Sequence, residues 1–212
     1  MKCSFLLLPK YGIKMAKLSK NQKINLTKAS DKLSKVKVVL GWQTPENVIP
    51  KYDLDVTAFL LGSDQKLISE EGIIFYGSPE LKLANGSIVN GAPDLSVWKT
   101  PDEREGGIEE LYIDIPKLNS AIVEISIVVT IHKAKVRRQS FKDVKNAFLQ
   151  IYNDETNELL ADFPLTDIPG NNTAIHVGSF YQTDEGFVFQ GLAAGYELDL
   201  ADFVVGYGGE VE

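Results

Sequence analysis

Two aspartates stand two residues apart in "YDLDVTAFLL", residues 52–61, a stretch otherwise apolar enough to be a buried β-strand. Alternate side chains of an extended chain share a face. Asp53, Asp55, Thr57, Phe59 and Leu61 therefore lie on one side, and Leu54, Val56, Ala58 and Leu60 on the other. The two carboxylates point the same way, roughly 6.6–7 Å apart along the strand. Like charges at that spacing repel, and burial raises the cost. A cation between them would remove it. Hard oxygen ligands suit Ca²⁺ or Mg²⁺, and Ca²⁺ better tolerates irregular loops and a shell of roughly six to eight oxygens. On these residues alone the alternative is a solvated strand start that needs no ion.

More oxygen lies downstream. Residues 77–107 are rich in Gly, Pro, Asn, Asp and Glu and read as one long irregular loop, which in a compact domain is usually functional or disordered. Asn85, Asn90, Asp94, Asp102, Glu103, Glu105, Glu109 and Glu110 lie in it or just after it. Gly86, Gly91, Gly106 and Gly107 would let backbone carbonyls approach an ion. No segment has the EF-hand spacing, so a site must be assembled from separate segments. Rival chemistry is thin. His132 and His176 each sit in a strand pattern between apolar neighbours, and no Cys/His zinc spacing occurs. No G-x-S-x-G, P-loop or dinucleotide fingerprint is present. Asp53-Leu54-Asp55 is also the D-x-D of metal-dependent nucleotide-sugar transferases, but those enzymes use α/β folds, and the alternating helices are missing here.

The elements that must hold these groups are strands. "KVKVVLGW" (35–42) alternates and then runs apolar. "AIVEISIVVTIHKA" (121–134) puts Val123, Ile125, Ile127, Val129 and Ile131 on one face and leaves Glu124, Ser126, Val128, Thr130 and His132 for solvent. "GIIFYG", "ELYIDI", "NAFLQIYND", "ELLADF", "AIHVGSFYQ" and "GFVFQGLAAG" add short strands separated by Asn-Gly, Asn-Asp and Pro-Gly turns; "NDETNELL" reads as a hairpin turn. Helical signals are confined to one turn capped by Ser140 and a terminal helix in "DLADFVVGYG" (199–208). The pattern predicts an all-β fold, a β-sandwich of two mostly antiparallel sheets with a few short helices.

Residues 15–212 read as a single domain without linker or repeat. Residues 1–14 read as an N-terminal extension. Met15 opens "MAKLSKNQKINLTK" as a natural start would, and the apolar run from Phe5 to Leu8 is too short for a signal peptide. The net charge is -7, or -10 once Lys2, Lys10 and Lys14 are set aside. That acidic balance, with no Lys/Arg-rich run, argues against nucleic acid as a partner. No apolar run approaches the roughly 18 residues of a membrane span, so no membrane insertion is expected. Cys3 is the single cysteine and excludes an internal disulfide, which fits a reducing, cytoplasmic setting.

From about residue 18 to residue 208 the chain resembles the tellurium-resistance TerD family of bacterial stress proteins. "LSKNQKINLTK" is similar to the family's opening strand. "VVLGW" followed by "YDLDVTAFLL" is similar to its G-W and D-L-D-A-S signature, and "IIFYGSP" with "NGSIV" to its F-Y-N and D-G-S region. The most specific segment is "IVVTIHKAKVRRQSFKDVKNAFLQIYNDETNELLADFPL", with V-T-I-H, Q-S-F and N-A-F in order before a hairpin. "FVFQGLAAGY" and "GYG" match the ending. The chain departs from the second signature, G-D-N-x-T-G followed by G-D-D-E. It reads "GAPDLSVW" and "GGIEELYIDI", so Pro93 stands at the aspartate, Asp94 at the asparagine, and Gly107 and Ile108 at the next two aspartates, while Glu109 matches the glutamate. The loop between is about four residues longer and carries Asp102, Glu103 and Glu105.

The resemblance implies a Ca²⁺-binding β-sandwich without a catalytic triad, and so a non-enzymatic stress-response protein linked to tellurite resistance. It makes Asp53, Asp55, Asp94, Asp102 and Glu109 the expected metal ligands. The site would hold one ion, be rebuilt from the inserted acids, or be lost. The expected partners are Ca²⁺ and other proteins, either tellurium-resistance or phage-related. The competing expectation is a phage or virion-associated structural protein that uses the fold as an ion-free scaffold.

Overall fold

The alternating stretches become strands, and their apolar faces decide which sides meet. The computed structural model describes residues 16–18, 20–30, 32–44, 46–101, 107–166, 168 and 170–211; the expected extension at 1–14 lies outside them. In chain order the described elements are β1 (Ala16–Lys17), β2 (Lys23–Asn25), α1 (Leu26–Ala29), β3 (Lys35–Gln43), β4 (Leu54–Leu61), β5 (Ile73–Ile74), β6 (Glu80–Lys82), β7 (Ile88–Gly91), β8 (Val97–Lys99), β9 (Ile108–Asp114), β10 (Glu124–Ile131), α2 (Ala134–Arg137), β11 (Lys145–Asn153), β12 (Glu158–Pro164), β13 (Ala174–Thr183), β14 (Gly186–Tyr196) and α3 (Leu200–Gly206).

The strands form two sheets. The first runs β1-β12-β11-β3-β9-β8-β7-β6, the second β2-β14-β13-β10-β4-β5. Every pairing is antiparallel except β1 with β12. Val36, Val38 and Leu40 of β3, Leu111 and Ile113 of β9, and Leu149 and Ile151 of β11 face Leu54, Val56, Ala58 and Leu60 of β4. With Ile125, Ile127, Val129 and Ile131 of β10 they form one core. The chain is the all-β sandwich that its alternation predicts. The glycine of "VVLGW" has a packing reason: a Cβ on Gly41 would run into the Phe148 ring on the neighbouring strand β11.

Three expectations are corrected. Residues 77–107 are not one irregular loop, because β6, β7 and β8 add three short strands to the first sheet. Hairpins this short carry little alternation, so no period shows. The turn of helix α2 directly after β10 has no apolar stripe to announce it, and its flanking residues Lys133 and Arg138 both take left-handed backbone at φ 53°. The outer face of β10 does not meet solvent either: Ser126, Val128 and Thr130 are buried. The terminal helix, with Tyr207 at its end, covers Val128 and Ser126, while Thr130 lies beside Asp55 of β4. Capped by Asp199 and Asp202 in a reciprocal capping box, α3 lays Phe203 and Val204 over Phe59, Leu61, Val128 and Ala174 in a second apolar cluster. The one-turn helix after Ser140 is present as a 3₁₀ turn at Phe141–Asp143, but the serine hydroxyl makes no capping bond.

Under α3 a polar chain is closed off. Ser126 Oγ lies 3.0 Å from His176 Nε2 and 2.9 Å from Tyr207 Oη, and Ser179 Oγ lies 3.2 Å from the same histidine nitrogen. Burial pushes the His176 pKa below its usual 6.5, against the pull of Glu124 and a bond to Gly178. The unfolded chain then takes up a proton before the folded one does, so stability falls as pH drops below 6.5 toward the folded value. Urea midpoints measured from about pH 7 to about pH 5 should fall for the wild type and flatten in that window for His176→Gln. Leu54 is buried in the main core. Leu54→Ala should cost about 2–5 kcal/mol in the same assay, and a change under about 0.5 kcal/mol would show that the cavity argument fails there.

Candidate metal centre

Strand β4 is buried along its whole length, and the two acids at its start are buried with it: Asp53 is 5% and Asp55 3% exposed. They share the outer face of the second sheet with Thr57, Phe59 and Leu61, as alternation requires. Neighbouring β10 supplies their surroundings. Thr130 pairs with Asp55, and the His132 N–H donates to the Asp53 carbonyl at 2.9 Å. The two left-handed residues around α2 fold the chain back over this spot. Arg137 Nη1 comes to 3.6 Å from Asp53 Oδ2, and His132 Nδ1 to 3.8 Å from Asp55 Oδ2. Both distances are those of charge contacts, beyond hydrogen-bond length. The Tyr76 ring stands edge-on to His132, centroids 6.0 Å apart, and closes the side.

Glu109 has a different setting. It projects inward from β9 beside Leu111 and Ile113, and Lys99 projects inward from neighbouring β8. Both side chains are 0% exposed, and the Lys99 ammonium lies 3.0 Å from each Glu109 oxygen. Glu109 Oε2 also accepts the backbone N–H of Val56, at 2.9 Å, from the other sheet. The carboxylate expected to ligate a metal is thus engaged by a lysine and a β4 amide, and it meets that strand from the interior while Asp53 and Asp55 project outward.

Asp94 sits elsewhere. It is exposed, its Oδ1 accepts the Ser96 N–H at 2.8 Å, and it shares a surface hollow with Leu60, Glu71 and Asn119. Leu60 is five residues beyond Asp55, roughly 17 Å along the strand. Asp102 lies outside the described residues. Gly107, at the end of that stretch, accepts the Trp42 N–H, and the Trp42 indole N–H donates to the Tyr52 carbonyl next to Asp53. Among the described residues no cluster of three or more His, Cys, Asp or Glu is arranged to hold an ion. The structure therefore brings Asp53 and Asp55 together, sets Glu109 behind them in a salt bridge, and places Asp94 at the far end of the strand.

Sequence reasoning passed over Lys99, Arg137 and the role of His132. The signal for Lys99 was present: it alternates with Val97 as Glu109 does with Leu111, so two opposite charges fall on the inward faces of adjacent strands. If Glu109 is held by Lys99, Lys99→Met should destabilise the protein by about 3–5 kcal/mol by leaving a buried carboxylate unbalanced. Adding Glu109→Gln, which keeps an acceptor for Val56, should restore most of the loss in urea unfolding. A single-mutant loss under about 1 kcal/mol would place the pair in a solvated setting.

The TerD domain family matches residues 15–207. General stress protein 16U of Bacillus subtilis (strain 168) is 37% identical over 195 residues, covering 92% of this chain and 97% of that protein. Tellurium resistance protein TerD of Serratia marcescens is 33% identical over 191 residues, covering 90% and 96%. Among solved structures, a homologue of telluride resistance protein (TerD) from Streptomyces coelicolor A3(2) superposes with a TM-score of 0.63 at 21% identity, over 81% of this chain and 95% of that one, a likeness of fold. The chain belongs to the TerD family.

Proposed function

We propose that this TerD-family chain is a non-enzymatic stress-response protein that binds one Ca²⁺ ion at Asp53 and Asp55. The observation that carries the reading is the pair itself: two buried carboxylates on one strand face, at the end of β4 where Arg137 and His132 also converge. The donor chemistry fits a hard cation. Two carboxylates offer up to about four oxygens, and carbonyls or water can complete a Ca²⁺ shell. Thr57 Oγ1, next along the same face, is buried without a hydrogen-bond partner. The residues do not fit the five-acid set, since Glu109 is engaged by Lys99 and Asp94 is distant. A single ion is the larger site reduced. The names of the relatives, a general stress protein and a tellurium resistance protein, support the cellular role.

The non-enzymatic part of the reading has its own support. Ser126, His176 and Tyr207 are the described groups most like a nucleophile and base, and Ser126 is buried under α3 where no substrate reaches it. Among the described residues no helix is long and apolar enough to cross a membrane. A cytoplasmic location belongs to this same proposal.

Thermal unfolding with added Ca²⁺ tests the site. An ion that binds only the folded state at a hundredfold excess over Kd adds about 2.7 kcal/mol. For a chain this size that raises Tm by about 5–10 °C. Mg²⁺ should raise it less. Asp53→Asn with Asp55→Asn should remove the response. No rise in the unmutated protein would sink the ion site and favour an ion-free scaffold, and a rise that survives the double change would move the ion away from β4.

A further inference from the structure

The acidic average of the chain hides a basic end, which corrects the reading that no Lys/Arg-rich run is present. Residues 133–145, "KAKVRRQSFKDVK", carry six bases and one acid, in a protein whose net charge is -7. This segment leaves the end of β10, forms α2 and enters β11. The connection between β3 and β4 lies against it: Gln139 Nε2 donates to the Pro50 carbonyl at 2.8 Å, and Tyr52 Oη to Asp143 Oδ2 at 3.3 Å. Each of the two segments holds out one aliphatic side chain. Ile49 is 93% and Val136 84% exposed. They are single protrusions at one end of the sandwich, not parts of a continuous apolar patch. Some of the bases are spoken for: Arg137 faces Asp53, Lys135 lies 3.2 Å from Asp199, and Lys142 donates to Asn171. Lys133, Arg138 and Lys145 are exposed and make no ion pair among the described residues. The acids nearby are Asp53, which faces Arg137, Asp199 and Asp202, which face Lys135, Asp143 within the segment and Glu46 in the β3–β4 connection.

We propose that this end of the sandwich docks on an anionic lipid surface, with Ile49 and Val136 entering the headgroup layer and Lys133, Arg138 and Lys145 facing the acidic headgroups. Charge complementarity selects the partner. Bases alone would suit any polyanion, but two fully presented aliphatic tips gain nothing from a phosphate backbone. Single-stranded nucleic acid is gripped by stacking on aromatic rings, and the tips are not aromatic. A bilayer interface takes both features at once: apolar tips leave water, and each base near the surface adds attraction. Docking of this kind is peripheral and crosses nothing. It does not rest on the Ca²⁺ reading, because these bases attract an anionic surface with or without an ion at Asp53.

Vesicle co-sedimentation of the full chain in chelator keeps the two proposals separable. The protein should pellet with phosphatidylcholine vesicles containing phosphatidylglycerol and stay in solution with phosphatidylcholine alone. Salt near 1 M shrinks the screening length to about 3 Å and should release it. Lys133→Gln with Arg138→Gln should weaken binding roughly twenty-five-fold, about fivefold for each base. Ile49→Ser with Val136→Ser should weaken it about tenfold or more, with Tm unchanged because both side chains are exposed. The proposal is overturned by an absence of binding to the anionic vesicles, by Ile49→Ser/Val136→Ser binding as tightly as the wild type, or by duplex DNA displacing the protein from vesicles at equal phosphate concentration.

Discussion

The contact between Lys99, Glu109 and the Val56 amide is the constraint on which the arrangement of β4 depends. Strand β5 is only two residues long and pairs with Ala58 and Phe59, so it leaves the earlier edge of β4 without a strand beside it. A buried backbone N–H left there would cost about 1–3 kcal/mol. Glu109 reaches across from the first sheet and accepts it. A carboxylate in that position needs a counter-charge, and Lys99 supplies it from the adjacent strand with both groups shut away from water. Such a pair gains little over apolar packing in net stability. What it contributes is position, because the three groups fit together only when β8, β9 and β4 are in register across the two sheets.

That contact also accounts for how the acids divide. Glu109 carries the residue type and neighbourhood of a metal ligand, but its charge is met by an ammonium from within the chain. A lysine needs no ion concentration and no entry path, so this part of the core is complete on folding. Asp53 and Asp55 are left on the other side of β4, where the counter-charges stand at 3.6 and 3.8 Å and come from a turn at the surface. The interior carboxylate is bonded directly to Lys99 and the Val56 amide, while Asp53 and Asp55 face Arg137 and His132 on the other side of the strand.

The fold was legible wherever alternation ran long. β3, β9, β10, β11, β13 and β14 follow the pattern of their residues, and the terminal helix lies within the stretch 199–208 read as helical. Legibility stopped where tertiary contact decides. Ser126 and Val128 look like a solvent face until Tyr207 and α3 cover them, and nothing local to β10 announces that cover. Strands β6 to β8 are too short to show a period. Asp53 and Asp55 were readable as a same-face pair because two residues on one strand need no tertiary information. Asp94 was not, since its distance from them depends on which end of the sandwich each loop occupies.

Arg137 connects the acid pair to the basic end of the molecule. It is the base of α2 that lies against Asp53, and its exposed neighbours Lys133 and Arg138 point to no acid among the described residues. A single guanidinium cannot balance Asp53 and contribute fully to an outward positive field. Whatever neutralises Asp53 more strongly releases Arg137 toward the surface, and whatever holds Arg137 at the surface leaves Asp53 readier for a cation. Were an ion and an anionic surface both bound, the two events would be linked, and by thermodynamic necessity the linkage would be the same in both directions. The shared contact is the 3.6 Å approach of the Arg137 guanidinium to a buried Asp53. The acid pair and the basic end are near neighbours that share one charge.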